Sequence, residues 1–163
     1  MDDCNEAIRL KPDYAMAYYN RAIAYCELSQ YQRAIEDFNN AIRLKPDYAQ
    51  AYYNRGLTYG KDIGQYKLAI ENFNNAIRLK RDDHDSYYNR GLAYLKLEQY
   101  KSAIEDFNKA IHLNPEFSET YINRAIAYFT QSNNKFGCRD AQKGCELGAC
   151  DLLKFAQNKR LCP

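Results

Sequence analysis

Ala17-Tyr18-Tyr19-Asn20-Arg21-Ala22 decides how this chain is read, because the stretch keeps returning. It recurs as Ala51-Tyr52-Tyr53-Asn54-Arg55-Gly56, as Ser86-Tyr87-Tyr88-Asn89-Arg90-Gly91, and in weaker form as Thr120-Tyr121-Ile122-Asn123-Arg124-Ala125. The asparagines stand 34, 35 and 34 residues apart. Self-similarity at such a period means stacked supersecondary units, each burying its apolar face against its neighbours. The 163 residues are therefore read as an array and not as one domain around one core.

Within one period the pattern is helical. Tyr18, Ala22 and Tyr25, then Ala34, Phe38 and Ala41, fall at three- and four-residue steps, so helices are expected from Ala15 to Leu28 and from Tyr31 to Leu44. The short Ser29-Gln30 break makes them antiparallel. Small residues at Ala22, Ala34 and Ala41 let the backbones approach, while Tyr25 and Phe38 fill the gaps. Lys11-Pro12-Asp13 and Leu44-Lys45-Pro46-Asp47 end helices, because proline cannot continue one and restricts the residue before it. Asp13 is placed to cap the helix that follows.

These signals divide the chain into units. Residues 1–14 read as the second helix of a truncated unit, with Cys4, Ala7 and Ile8 on its apolar side. Full units follow at 15–48, 49–83 and 84–117. The second carries one extra residue in Gly60-Lys61-Asp62-Ile63-Gly64, which predicts a longer turn, and has Arg81 where its neighbours have Pro46 and Pro115. A degenerate unit spans 118–148, with Gly137, Ala141 and Gly144 at the small-large-small positions. Loss of the phenylalanine there leaves room for the tail. Residues 149–163 are expected to form a capping helix whose Leu152, Phe155 and Ala156 fill that room.

Composition excludes several functions. Lys and Arg number 23 against 21 Asp and Glu, a balance that argues against a nucleic-acid partner. No apolar run approaches the roughly 18 residues of a spanning helix, so no membrane insertion is expected. His84 and His112 stand alone, no glycine-rich phosphate loop occurs, and Glu36-Asp37 and Glu105-Asp106 are adjacent on a helix and point different ways. The chain therefore reads as no enzyme, with no metal site and no cofactor. Of six cysteines, none form a C-x-x-C pair. Cys4, Cys26 and Cys138 read as small packing residues. The crowding of four cysteines into the last 26 residues leaves a disulfide open there.

Tyr-x-x-Arg-Gly/Ala-x-x-Tyr, then Ala-x-x-x-Phe-x-x-Ala, then Pro, at this period, resembles the tetratricopeptide repeat, with Tyr at its usual Trp place and Arg at its usual Leu place. The resemblance implies an all-α fold: a right-handed α-solenoid, or superhelix, of antiparallel helix pairs with a C-terminal cap. The first helix of each pair would line a concave groove. It also implies a non-catalytic scaffold that binds a peptide or partner protein. Lys143-Gly144-Cys145-Glu146-Leu147-Gly148 resembles cysteine-rich relatives of this fold that carry a bridge at a helix corner. A cytoplasmic location is expected, with an extracytoplasmic one left open by Cys145, Cys150 and Cys162.

By that resemblance, the groove-facing line is Tyr19, Asn20 and Ile23; Tyr53, Asn54 and Leu57; Tyr88, Asn89 and Leu92; and Ile122, Asn123 and Ile126. An amide offers both a donor and an acceptor, so an asparagine ladder could grip a peptide backbone whatever its sequence. The same asparagines could equally serve local hydrogen bonds, and the tyrosines could equally contact the next repeat. Another version of the fold clamps a terminal carboxylate with Lys and Arg. Met16, Gln50, Asp85 and Glu119 hold those places here, so chaperone tails are not expected ligands. Arg21, Arg55, Arg90 and Arg124 sit within the packing seam, where a guanidinium needs an acid. Asp37, Asp106 and Asp140 face them, with Asn72 substituting in the second unit. Self-association through the edge at 1–14, giving a homodimer, is the alternative function.

Overall fold

The computed structural model describes residues 1–163, and its regular structure is entirely helical. Two compact units divide it at residue 81. The first unit holds α1 (Asp2–Leu10), the pair α2 (Ala15–Glu27) and α3 (Tyr31–Leu44), and the pair α4 (Ala49–Leu57) and α5 (Tyr66–Leu79). The second holds α6 (His84–Lys96) with α7 (Tyr100–Leu113), α8 (Ser118–Thr130) with α9 (Asn134–Glu146), and α10 (Asp151–Asn158).

The same few contacts build each of the first three pairs. Phe38, Phe73 and Phe107 are fully buried on the second helices, flanked by buried alanines at 34 and 41, 69 and 76, and 103 and 110. At the facing position Ala22 is fully buried, while a Cβ added to Gly91 would lie 2.7 Å from Phe107. Backbone approach is therefore set by whichever small residue meets that ring.

Left-handed residues turn the chain between helices. Ser29, Glu98 and Ser132 have φ of 56, 59 and 58°, and the N–H of the residue that follows closes the helix: Gln30 N bonds Tyr25 O at 2.8 Å, and Gln99 N bonds Tyr94 O at 2.9 Å. Between α4 and α5 the expected longer turn is not formed. Thr58–Asp62 widens into a π-helical turn, where Ile63 N bonds Thr58 O at 3.1 Å and Gln65 N bonds Tyr59 O at 2.7 Å. Ile63–Gln65 then leads into α5, just as Leu28–Gln30 leads into α3. The extra residue is absorbed inside the helix, whose wider ring takes it without moving the partner.

Asp13 does not cap α2. The residue at the cap position is Tyr14, with no side-chain bond to the helix. Its counterparts Tyr48 and Phe117 use that position for packing, on Tyr19 at 4.9 Å and on Tyr88 at 5.1 Å between ring centroids. Asp83 alone among the four counterparts caps its helix, accepting from Ser86 N. At the other helix ends, Lys11, Lys45 and Asn114 adopt φ near −138° and ψ near 87° before proline, and Lys80 adopts the same geometry before Arg81.

The last pair departs from the expectation for the tail. The space left over Gly137 and Gly144 is occupied from α8: Cβ atoms added there would fall 2.6 Å from Phe129 and 2.5 Å from Ile122. The large side chain has moved to the opposite helix. Phe155 is consequently 55% exposed, and of the face expected on α10 Ala156 is buried and Leu152 half-buried. Cys138 is not a mere packing residue either. It is bonded to Cys162, and Cys145 to Cys150, while Cys4 and Cys26 remain thiols. Helix α10 doubles the chain back along α9, which brings the Cα atoms of Cys138 and Cys162 to 5.5 Å.

Candidate functional site: the first-helix face

Each arginine of the recurring stretch lies inside its helix pair. Arg21 Nε and Nη2 donate to the two oxygens of Asp37 at 2.6 and 2.8 Å. Arg90 holds Asp106 in the same way at 2.7 and 2.6 Å, and Arg124 holds Asp140 at 2.6 and 2.7 Å. These are fork-to-carboxylate pairs, which fix direction as well as distance. In the second pair Arg55 has only Asn72 Oδ1, at 2.7 Å, and Asn72 is oriented by donating to Leu68 O. The hydrogen bond to Asp37 raises the pKa of Arg21; burial lowers that of Arg55. A third nitrogen reaches back one unit: Arg21 Nη1 to Asn5 Oδ1 at 2.8 Å, Arg55 Nη1 to Asn39, and Arg124 Nη1 to Asn108. Sequence reasoning passed over these asparagines, although Asn5, Asn39, Asn74 and Asn108 recur at the repeat spacing.

One turn away, the Tyr-Asn half of the stretch makes a second link. In the first unit Tyr19 packs on Phe38 at 6.0 Å and on Tyr48, and its hydroxyl oxygen accepts from Asn54 Nδ2 at 2.9 Å. The same amide nitrogen donates to Gln50 O at 3.1 Å. In the second unit Asn123 Nδ2 donates to the Tyr88 hydroxyl at 3.1 Å and to Glu119 O at 2.8 Å. Asn89 Nδ2 donates to Asp85 O at 2.8 Å. Both amide hydrogens of Asn54 and Asn123 are thus engaged, so each Oδ1 is oriented. The tyrosine accepts in this bond, which leaves its own O–H to donate elsewhere. Burial raises the pKa of Tyr19 and Tyr88, so both remain donors through the neutral range.

The remaining residues of the line are unevenly placed. Asn20 is exposed, Ile126 is 37% exposed, and Ile23, Tyr53, Leu57, Leu92 and Ile122 are half-buried. Ile23 packs against the core around Phe38. Met16 and Gln50 border the line in the first unit; Asp85 and Glu119 border it in the second, all four exposed.

Sequence models of the tetratricopeptide repeat match residues 4–36, 22–62, 61–98 and 84–117. The chain belongs to the tetratricopeptide repeat family. That family is generally a non-catalytic scaffold fold, and no helix here is long and apolar enough to cross a membrane. Among solved structures, MamA 41-end from Desulfovibrio magneticus RS-1 is 29% identical, with a TM-score of 0.84 over 91% of this chain and 83% of that one. The MamA RS-1 ArsTM double mutant is also 29% identical, with a TM-score of 0.84 over 88% and 80%. The first TPR of Spaghetti (RPAP3) bound to HSP90 peptide SRMEEVD shares the fold at 20% identity, with a TM-score of 0.70 over 72% and 93%. No curated protein matches the chain.

Proposed function

We propose that this tetratricopeptide chain is a protein-interaction scaffold that holds extended partner segments along the first helices of each of its two units. The carrying observation is the Tyr-Asn link. At Tyr19–Asn54, and again at Tyr88–Asn123, a hydroxyl with a hydrogen to give stands beside a fixed amide oxygen. One donor beside one acceptor is the complement of a peptide unit, whatever side chain it carries. That this fold can hold a peptide is seen in the RPAP3 repeat. Asp85 and Glu119 at the rim disfavour a carboxylate-terminated ligand and favour a neutral or basic segment.

The two disulfides favour an oxidising compartment over the cytoplasm. Self-pairing through α1 has less support, because its apolar Ala7 and Ile8 are already half-buried.

The test is a pull-down with the full chain, crosslinking to locate the bound segment, and then the affinity of Tyr19→Phe/Tyr88→Phe. Phenylalanine keeps the ring packing and removes both hydroxyl donors. Two hydrogen bonds at about 0.5–1.5 kcal/mol each correspond to a loss of about 5- to 150-fold. Crosslinks confined to the second helices, or an unchanged affinity, refute the proposal.

A further inference from the structure

Beyond the first-helix face, we infer that the outer side of α9 and the disulfide-bonded tail form a second binding site, for an acidic, leucine-bearing segment of a partner protein. The repeats themselves supply the comparison. On the outer side of each second helix, three residues at steps of four read Gln32-Glu36-Asn40, Lys67-Glu71-Asn75 and Lys101-Glu105-Lys109. In the last pair they read Lys135-Arg139-Lys143, so a glutamate present three times has become arginine. The formal charges of the four lines are −1, 0, +1 and +3.

The reversal coincides with a cleft. Lys135 and Arg139 line a cavity of about 680 Å3 together with Leu153, Leu161 and the bonded Cys138 and Cys162. No carboxylate side chain lines it. Arg139 is steered by its own neighbour, with the guanidinium carbon 5.4 Å from the Phe136 ring centroid, and Phe136 in turn stacks on Tyr128. An exposed guanidinium beside two leucines suits a carboxylate with an apolar side chain next to it. The Cys138–Cys162 bond fixes the tail against α9, so the site should exist only in the oxidised chain.

The probe is a fluorescein-labelled peptide of alternating Glu and Leu, with Gln/Leu and Lys/Leu counterparts, titrated into the full chain by anisotropy. The Glu peptide should bind and the other two should not. Arg139→Glu should weaken binding by about tenfold or more, while helicity is kept, since the other three repeats carry glutamate there. Cys162→Ser should weaken it as well, and Tyr19→Phe should leave it unchanged, which separates this site from the first-helix face. Absence of binding, equal binding of the Gln peptide, or indifference to Arg139→Glu overturns the inference. Binding of phosphatidylserine vesicles in place of the peptide overturns the choice of partner, and indifference to Cys162→Ser overturns the role of the bridge.

Discussion

Asn72→Asp should stabilise the protein, although it places a new charge at a site only 4% exposed. Three of the four pairs already hold a carboxylate at this position, with Asp37, Asp106 and Asp140 at 4, 5 and 2% exposure. The arginine desolvation is present with or without the change, since Arg55 is already half-buried and bonded to Asn72 and Asn39. Replacing the amide converts a bond from the guanidinium to a neutral oxygen into an ion-paired one, a gain of about 1 kcal/mol, and offers Nη2 a second oxygen worth about 1 kcal/mol more. The change loses the bond from Asn72 Nδ2 to Leu68 O, about 1 kcal/mol. Desolvation of the new carboxylate works against the change, as it does at Asp106, where burial raises the pKa, so the net expectation is a gain of at most about 1 kcal/mol, or up to about 2–4 °C in Tm for a chain of this size. Thermal and urea denaturation followed by circular dichroism would read it, with Asp106→Asn as the reciprocal variant, expected to lose a similar amount. Because the pair is buried, the gain should persist in high salt. An Asn72→Asp protein that melts at or below the parent temperature refutes this account of the seam.

Thiol titration of the unfolded, unreduced chain should find two thiols, Cys4 and Cys26; six would remove both bridges. In the folded chain Cys26 should react the more slowly, because burial raises its pKa. Reduction, or Cys138→Ser, should lower stability by about 3 kcal/mol, since the Cys138–Cys162 bond closes a loop of sequence separation 24; an unchanged urea midpoint would contradict this. Gly137→Ala should destabilise by about 1–3 kcal/mol in spite of better helix propensity, because the new Cβ meets Phe129 at 2.6 Å; a higher melting temperature would show that the ring yields freely. Burial raises the pKa of Tyr19 and Tyr88 above that of an ordinary phenol, so the folded state keeps protons that the unfolded chain releases. Their contribution is complete below the ordinary phenol value of about 10 and falls above it, and urea titrations from about pH 9 to about pH 11 should show declining stability.

What could be read in advance follows from distance along the chain. Ala22, Phe38 and Ala41 declare the helix pair because packing within a pair needs only the local period, and four copies average out any single exception. The partner of Arg21 is similarly local, one helix away at Asp37. The Tyr19–Asn54 bond spans a whole period, and both residues have local alternatives, so no pattern selects it. Asp13 does not cap because the cap position of α2 is one residue later, at Tyr14, and at the equivalent place Tyr48 packs on Tyr19 of the preceding repeat, a gain that a helix considered alone does not show. The insertion near Gly60 was ambiguous for another reason: one residue can lengthen a loop or widen a helix, and only the fixed position of α5 decides for the wider ring. Arg81 makes the complementary point, since Lys80 takes the pre-proline geometry with no proline after it, its N–H bonded to Ala76 O; the corner does not need proline, which merely suits it.

A repeat array also carries its own controls. The arginine that all four copies share, at 21, 55, 90 and 124, is explained by stacking, because every copy must stack. Beyond the repeated first-helix face, a function confined to one copy is to be sought where that copy departs and the departure does not improve packing. Asn72 departs, and its effect is a weaker ion pair. Gly137 and Gly144 depart, and Phe129 and Ile122 compensate from the facing helix, so the core is restored without reference to a partner. Arg139 departs differently: it replaces an exposed glutamate, lines a cleft, and has its ring contact on the exposed Phe136 of its own helix, not in the core. The last pair thus combines a repaired interior with an unrepaired charge on its surface. Stability can account for the first of these changes, and recognition is the remaining reason for the second.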